Sequence, residues 1–371
     1  GLRFRAVSFC LDGAPIADGG AKPRSGAFAP YNPVERLFIN CYRLQCRDAP
    51  VRTPSLRFHF PPFAPSSTIP SMPAQSSHLL LVDGYGLIYR SFYAIRELAT
   101  DDGRPVNAIY GFIKALRKLL MEEKPTHAAV VMDEGEPVAR LQQLPTYKAT
   151  RKPMPEPMRP QIEPIKRGVP LCGVQLLGIE GVEADDIIGT LTQQALKKNF
   201  RVTLHTNDKD MMQLVNDRVV VINPAYPDKK FDAPAVLEHY GVRPDQIVDY
   251  LSLIGDSVDN VPGVEGIGEK TAVSLITQFG SIDNIQKNRD QIPRPRIAAA
   301  LRQADAQLAF NRDFLSLHTV PLSWKLDALA VQIPDYKALD QFCAEHQFRK
   351  LREEIAKEAA TRPPAQLGLG V

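Results

Sequence analysis

A chain of 371 residues, 44% apolar and 23% charged, holds enough material for two or three domains with a sizeable core. Its formal charge of +3 is uneven: nine Lys/Arg and four Asp/Glu precede residue 78, leaving 36 basic against 38 acidic residues, so affinity for a polyanion must come from a local patch rather than bulk charge. No apolar run is long enough to span a bilayer, and the five cysteines (Cys10, Cys41, Cys46, Cys172, Cys343) lack metal-ligand spacing and read as reduced thiols.

Residues 1–77 are rich in Pro, Ser and Arg and show no sustained period, so disorder is expected there. Met72 stands six residues before the first apolar run, which makes 1–71 read as an over-extended start; an organellar transit peptide is the alternative. His78–Val82 reads as a buried strand ending in Asp83-Gly84, with a helix through Tyr89–Tyr93. Asn107–Glu122 has helical spacing, and His127–Met132 is a second buried strand, ending in Asp133. Residues 135–170 carry eight prolines among basic residues, a solvated loop or a functional arm. A strand at 173–177, a helix from the Glu183-Ala-Asp185-Asp186 cluster through Lys197, strands at 201–205 and 218–222 and a helical turn at 211–215 follow. After Pro234 the chain reads as helical, closing with a helical hairpin at 336–359 and a tail.

Alternating strands and helices predict an α/β domain with a mostly parallel central sheet flanked by helices. Ligands of such sheets bind beyond the carboxyl ends of the strands, and there Asp83, Asp133, Asp208 and Asp210 fall, with Glu183, Asp185 and Asp186 opening a helix at the same edge. One such acid is a helix cap; four strand ends delivering acids to one edge point to hard cations. Asp256 and Asp259 add two more acids and run into Gly263-x-x-Gly266-Ile267-Gly268-Glu269-Lys270-Thr271-Ala272. Lying between helical stretches, these glycines suggest a helix–hairpin–helix that grips a phosphate backbone, or merely a tight interhelical turn.

With these motifs in this order, the sequence resembles the 5′ nuclease (flap endonuclease) superfamily, specifically the 5′–3′ exonuclease domain of bacterial DNA polymerase I and its stand-alone relatives, over about 78–324 and more weakly to 355. The matching residues are Leu81-Val82-Asp83-Gly84 with Tyr89-Arg90, Met132-Asp133, Tyr147-Lys148-Ala149-Thr150-Arg151, Glu183-Ala184-Asp185-Asp186, Asp208-Lys209-Asp210, Asp256-x-x-Asp259-Asn260 and the glycine hairpin. The resemblance implies a PIN-like 5′ nuclease fold with a helical arch at 140–170 and a helix–three-turn–helix at 255–280. It divides the chain into a catalytic domain at 78–250 and a helical DNA-binding subdomain at 251–359. It implies phosphodiester hydrolysis with two Mg²⁺ or Mn²⁺ ions held by Asp83, Asp133, Glu183, Asp185, Asp186, Asp208, Asp210, Asp256 and Asp259, the last two as the second-ion pair. Lys148 and Arg151 correspond to basic residues of the active site and arch; Arg140 and Tyr147 are further catalytic candidates. Gly263, Gly266, Ile267, Gly268, Lys270, Thr271 and Arg90 are the DNA-binding candidates, Arg90 having an ion-pair role as its alternative. A potassium ion at the hairpin is implied by resemblance alone. The expected partner is DNA with a 5′ flap or end, and RNA primers, acted on by a monomer with no membrane contact, in the cytoplasm at the nucleoid. Two features depart from the family: Ala139 replaces an aromatic, and the arch is unusually rich in proline. The short tail reads as a stand-alone nuclease or a truncated gene product. A DNA-binding module without hydrolysis would have lost ligands, and a phosphotransferase built on Asp208 and Asp210 leaves the hairpin unexplained.

Overall fold

The computed structural model of the protein describes residues 77–361; the expectations for the leader, for Met72 and for the tail lie outside the described residues. In chain order the strands are β1 (His78–Asp83), β2 (His127–Val131), β3 (Gln175–Leu177), β4 (Arg201–His205), β5 (Val219–Ile222), β6 (Lys230–Phe231), β7 (Gly255–Asp256) and β8 (Val261–Pro262). The helices are α1 (Gly84–Ala94), α2 (Asn107–Glu123), α3 (Val138–Gln143), α4 (Ile162–Leu171), α5 (Ala184–Lys197), α6 (Ala233–Tyr240), α7 (Ile247–Ile254), α8 (Glu269–Phe279), α9 (Ile282–Lys287), α10 (Pro295–Gln303), α11 (Asp305–Leu315), α12 (Tyr336–Glu345) and α13 (Arg349–Ala360).

The main sheet has the order β3-β2-β1-β4-β5-β6, parallel except for β6. β1 is central and unexposed because its side chains feed two cores. Leu79 and Leu81 join one with Ala129, Val202 and Leu204 beneath α5; Leu80 and Val82 join the other with Ala128, Val130 and residues of α1, α2, α4, α12 and α13. Burial on both faces explains why these strands are continuous apolar runs rather than alternating ones. Val82 pairs with Val130 on one side and His205 on the other, so β1, β2 and β4 end level with one another. The strand order reverses between β1 and β4, the switch point at which open α/β sheets leave a crevice.

The expected strand at 173–177 begins only at Gln175, because Gly173, at φ 80°, closes the turn after α4. The helical turn at 211–215 is a 3₁₀ segment, Asp210–Leu214. The two-residue strands β6, β7 and β8 escaped prediction, since two residues carry no readable period. The proline-rich segment is neither a plain loop nor a continuous helix: it runs through α3, turns, a 3₁₀ turn at Arg159–Gln161 and α4. Pro164 sits in the first turn of α4, where its missing N–H costs little. Cys172 and Cys343 are buried free thiols.

Candidate metal centre at the carboxyl edge of the sheet

Asp83 ends β1 and caps α1: its Oδ1 accepts from Gly86 N at 2.9 Å and its Oδ2 from the Thr206 hydroxyl at 3.0 Å. Capping therefore explains Asp83 in part. It does not explain Glu183, which occupies the cap position of α5 without a capping hydrogen bond; Asp133 serves instead, accepting from Ala184 N at 2.7 Å. Beyond β4, Asp208 accepts from Asp210 N at 2.8 Å, which turns the Asp208-Lys209-Asp210 loop back over the sheet edge. Asp256 accepts from Val258 N at 2.8 Å and so closes the turn between β7 and β8.

The nine predicted acids fall into two groups. Glu183, Asp186, Asp256 and Asp259 form ion pairs: Lys148 and Arg140 bind Glu183, Arg140 also binds Asp186, Lys209 binds Asp256 at 3.2 Å, and Arg151 Nε lies 2.9 Å from Asp259. Asp83, Asp133, Asp185, Asp208 and Asp210 have no ion pair among the described residues. Asp210 Oδ1 is buried with no hydrogen-bond partner, and no described donor reaches Asp185. Burial pushes all five carboxyls up, Asp83 to about 6, and neighbouring carboxylates push further: Asp208, Asp83 and Asp133 act on Asp185, and Asp208 and Asp256 on Asp210. Burial would also raise Glu183, but Lys148 and Arg140 hold it below the ordinary range.

Among the described residues, no three His, Cys, Asp or Glu side chains stand as a ready-made coordination group. The edge is a convergence of negative charge, not a closed cage. Its donors still suit a hard cation: they are all oxygen, they repel one another, and at least one buried oxygen lacks a partner. Asp186 differs from the rest. Its Oδ1 accepts from His318 N at 2.7 Å and pairs with Arg140 at 3.2 Å, so its carboxylate is engaged within the protein.

The segment after α3 docks onto this edge. Asn260 Nδ2 donates to Thr146 O at 2.9 Å, and Lys148 N to Asp259 O at 3.1 Å. Lys148 adopts a left-handed φ of 57° that brings its ammonium to Glu183. Two of the catalytic candidates lie inside the protein. Arg140 is 7% exposed and bonds Glu183, Asp186 and the carbonyls of Phe314 and Ser316. Tyr147 is buried against Phe314, and its hydroxyl donates to Glu183 Oε1 at 2.9 Å and lies 3.3 Å from Asp259 Oδ2. Arg90 is exposed and forms no ion pair among the described residues.

α7, the β7–β8 turn and α8 form the expected helix–hairpin–helix. The side chain of Ile267 is buried in the core and anchors the hairpin from within. Gly266 has φ 78° and is required by the backbone. Gly268 has an ordinary extended backbone, and a Cβ there would meet nothing within 4 Å, so the fold does not demand glycine. Lys270 is exposed at the start of α8. Lys209 and Thr206 went unnoticed in the sequence as supports of Asp256 and Asp83; the lysine lying between two acids was the available signal.

A family model described as 5′-3′ exonuclease, N-terminal resolvase-like domain, matches residues 78–241, and one described as 5′-3′ exonuclease, C-terminal SAM fold, matches 242–337. The chain is 38% identical over 280 residues to a 5′-3′ exonuclease of Aquifex aeolicus, covering 75% of this chain and 95% of that one. It is also 38% identical over 301 residues to a thermostable DNA polymerase I of Thermus thermophilus, covering 79% of this chain but 36% of the polymerase, so it spans about a third of such relatives. Among solved structures, a mutant phage T5 5′-exonuclease matches with TM-score 0.51 at 25% identity, over 65% of this chain and 88% of that one. A phage T5 flap endonuclease in a pseudo-enzyme–product complex with DNA and metal ions matches with TM-score 0.55 at 24% identity, over 76% and 100%. The catalytic core of Rad2 in complex with DNA substrate gives 0.51 at 17% identity, over 76% and 92%. The last two show a shared fold.

Proposed function

We infer that this chain, which belongs to the 5′-3′ exonuclease family, hydrolyses phosphodiester bonds of DNA from a 5′ end and at the base of 5′ flaps. The observation that carries the reading is the convergence of Asp83, Asp133, Asp185, Asp208 and Asp210 without ion-pair partners, one buried oxygen among them having no donor at all. These five would hold one divalent cation directly or through water, and Asp256 and Asp259 a second. Bound there, Mg²⁺ or Mn²⁺ supplies an activated water and charge stabilisation for the attacking and leaving oxygens.

The chain's own groups do the rest. Lys148, on the rim beside Glu183, places an ammonium where negative charge builds on the scissile phosphate. Arg151, half-exposed beside Asp259, adds a second cation on the path to the centre. Tyr147 and Arg140 position these residues by gripping Glu183 from within. Gly268 and Lys270 offer open backbone and a cation to the duplex phosphates without reading its sequence. Removal of 5′ flaps and RNA primers in replication and repair, a potassium ion at the hairpin, and action as a monomer belong to the same proposal. Among the described residues no helix is long and apolar enough to cross a membrane.

A duplex carrying a 5′ flap, labelled in turn at either end of the flap strand and incubated with Mg²⁺, tests the reading. Labelled product released from the 5′ side is expected. Degradation from the 3′ end, or binding without cleavage, would contradict it.

A further inference from the structure

Between the acid-docked segment at 146–151 and α4 runs an exposed strap that carries Arg151 and Lys152 and three prolines, Pro153, Pro155 and Pro157. Its first foot is pinned by Lys148, Arg151 and the Thr146 carbonyl, as described. Its second foot ends on Gln161, a polar side chain with no exposed surface. All four hydrogen-bonding positions of that amide are used. Oε1 accepts from Ala108 N at 2.8 Å and Ile109 N at 3.2 Å; Nε2 donates to Asn107 Oδ1 and to Pro157 O, both at 2.9 Å. α2 has no side-chain cap of its own, so Gln161 caps it from 53 residues away. Asn107 in turn donates from Nδ2 to Phe92 O at 2.8 Å and Ile95 O at 2.9 Å, at the far end of α1. The first turn of α1 is the one capped by Asp83.

We propose that Gln161 is a positioning residue for the nuclease reaction: its amide fixes the strap to the α1–α2 frame, and so to the Asp83 end of the metal centre. The acceptor half of the side chain caps α2; the donor half holds the strap. The two jobs are chemically separable, which distinguishes positioning from mere stability. Gln161→Glu keeps both acceptor bonds, favoured by the partial positive charge of a helix N-terminus, yet turns a carboxylate toward the Pro157 and Asn107 oxygens. Gln161→Met removes both halves. The inference rests on the proposed function, because it takes the strap to hold the 5′ strand.

The test has two arms. Without substrate, native Gln161→Glu and Gln161→Met are digested with trypsin, and cutting after Arg151, the cleavable basic residue of the strap because Pro153 blocks the bond after Lys152, is timed against wild type. With the 5′-flap duplex and Mg²⁺, kcat and KM are measured per folded molecule at a temperature where melting curves show both variants folded. A strap in its competent position about a fifth of the time raises apparent KM about fivefold. The expected result is therefore KM up by about that factor in both variants, with kcat changed less than about twofold, and tryptic cutting faster by at least as much, because cutting follows the released fraction of the strap. If Gln161→Met does not fold, Gln161→Glu alone decides. Unchanged cutting and KM, with only the melting temperature lowered, would overturn the proposal and leave Gln161 a helix cap. A wild type without cleavage would sink the nuclease reading, while the tryptic arm would still report whether Gln161 holds the strap.

Discussion

Asp185 and Asp186 are neighbours in sequence with opposite surroundings. Asp185 faces Asp208, Asp83 and Asp133 with no compensating donor, whereas Asp186 is clamped by Arg140 and His318 N. Without divalent cations, Asp185→Asn should raise the melting temperature by removing repulsion. Asp186→Asn should lower it, because breaking a buried pair costs of order 3 kcal/mol of stability. Thermal melting in a chelator reads both signs. Proton uptake follows the same logic. Burial and neighbouring carboxylates push Asp83 up to about 6, above its unfolded value, so the folded state binds its proton first. Asp133, Asp185, Asp208 and Asp210 share that direction. In chelator the edge should therefore add stability as the pH falls from about 7 to about 5, against His205, His78 and His127, whose imidazoles burial holds below their ordinary value and which withdraw it over the same range; a divalent cation should remove the edge's share. The edge's share is read as the difference between wild type and Asp185→Asn, and equal pH slopes in the two proteins would contradict the repulsive edge described here.

At the scale of elements, the middle of the sheet was legible because β1, β2 and β4 each carry a buried run with an acid at or just beyond its end. Asp83, Asp133 and Asp208 could be placed at one edge from that pattern alone, since parallel strands all point the same way. Which acids would be paired was not legible. The ion pairs of Glu183 and Asp259 come from Lys148 and Arg151, 35 and 108 residues away in sequence, through a docking of the arch that no periodicity records. The carboxylates that Arg140 grips were hidden for the same reason: its burial against Glu183 and Asp186 comes from tertiary packing alone. In the hairpin, the glycines of the motif look equivalent as letters but are not equivalent in conformation. Gly266→Ala must enter a left-handed backbone and should cost about 1 kcal/mol of stability. Gly268→Ala meets no atom and should leave melting unchanged while weakening duplex binding, as measured by fluorescence anisotropy. Equal binding by Gly268→Ala and wild type would remove that glycine from the interface.

Across the whole molecule, a net charge of only +3 hides a sharp local separation. Carboxylates gather at the switch point of the sheet, Lys148 and Arg151 reach them from the segment after α3, and the hairpin that carries Asp256 and Asp259 presents Lys270 outward. A strong acid cluster beside a polyanion binder is self-defeating unless divalent cations stand between them, and that is the central claim. Its most direct test is cleavage of a 5′-flap duplex by wild type and by Asp185→Asn, each with Mg²⁺ and with chelator, alongside the Mg²⁺-induced shift in melting temperature of both proteins. The account predicts Mg²⁺-dependent cleavage and a raised melting temperature for the wild type. For Asp185→Asn it predicts loss of cleavage by at least about a hundredfold and a diminished shift, with DNA binding retained. Cleavage in chelator, or an Asp185→Asn protein that cuts and responds to Mg²⁺ like the wild type, would contradict it.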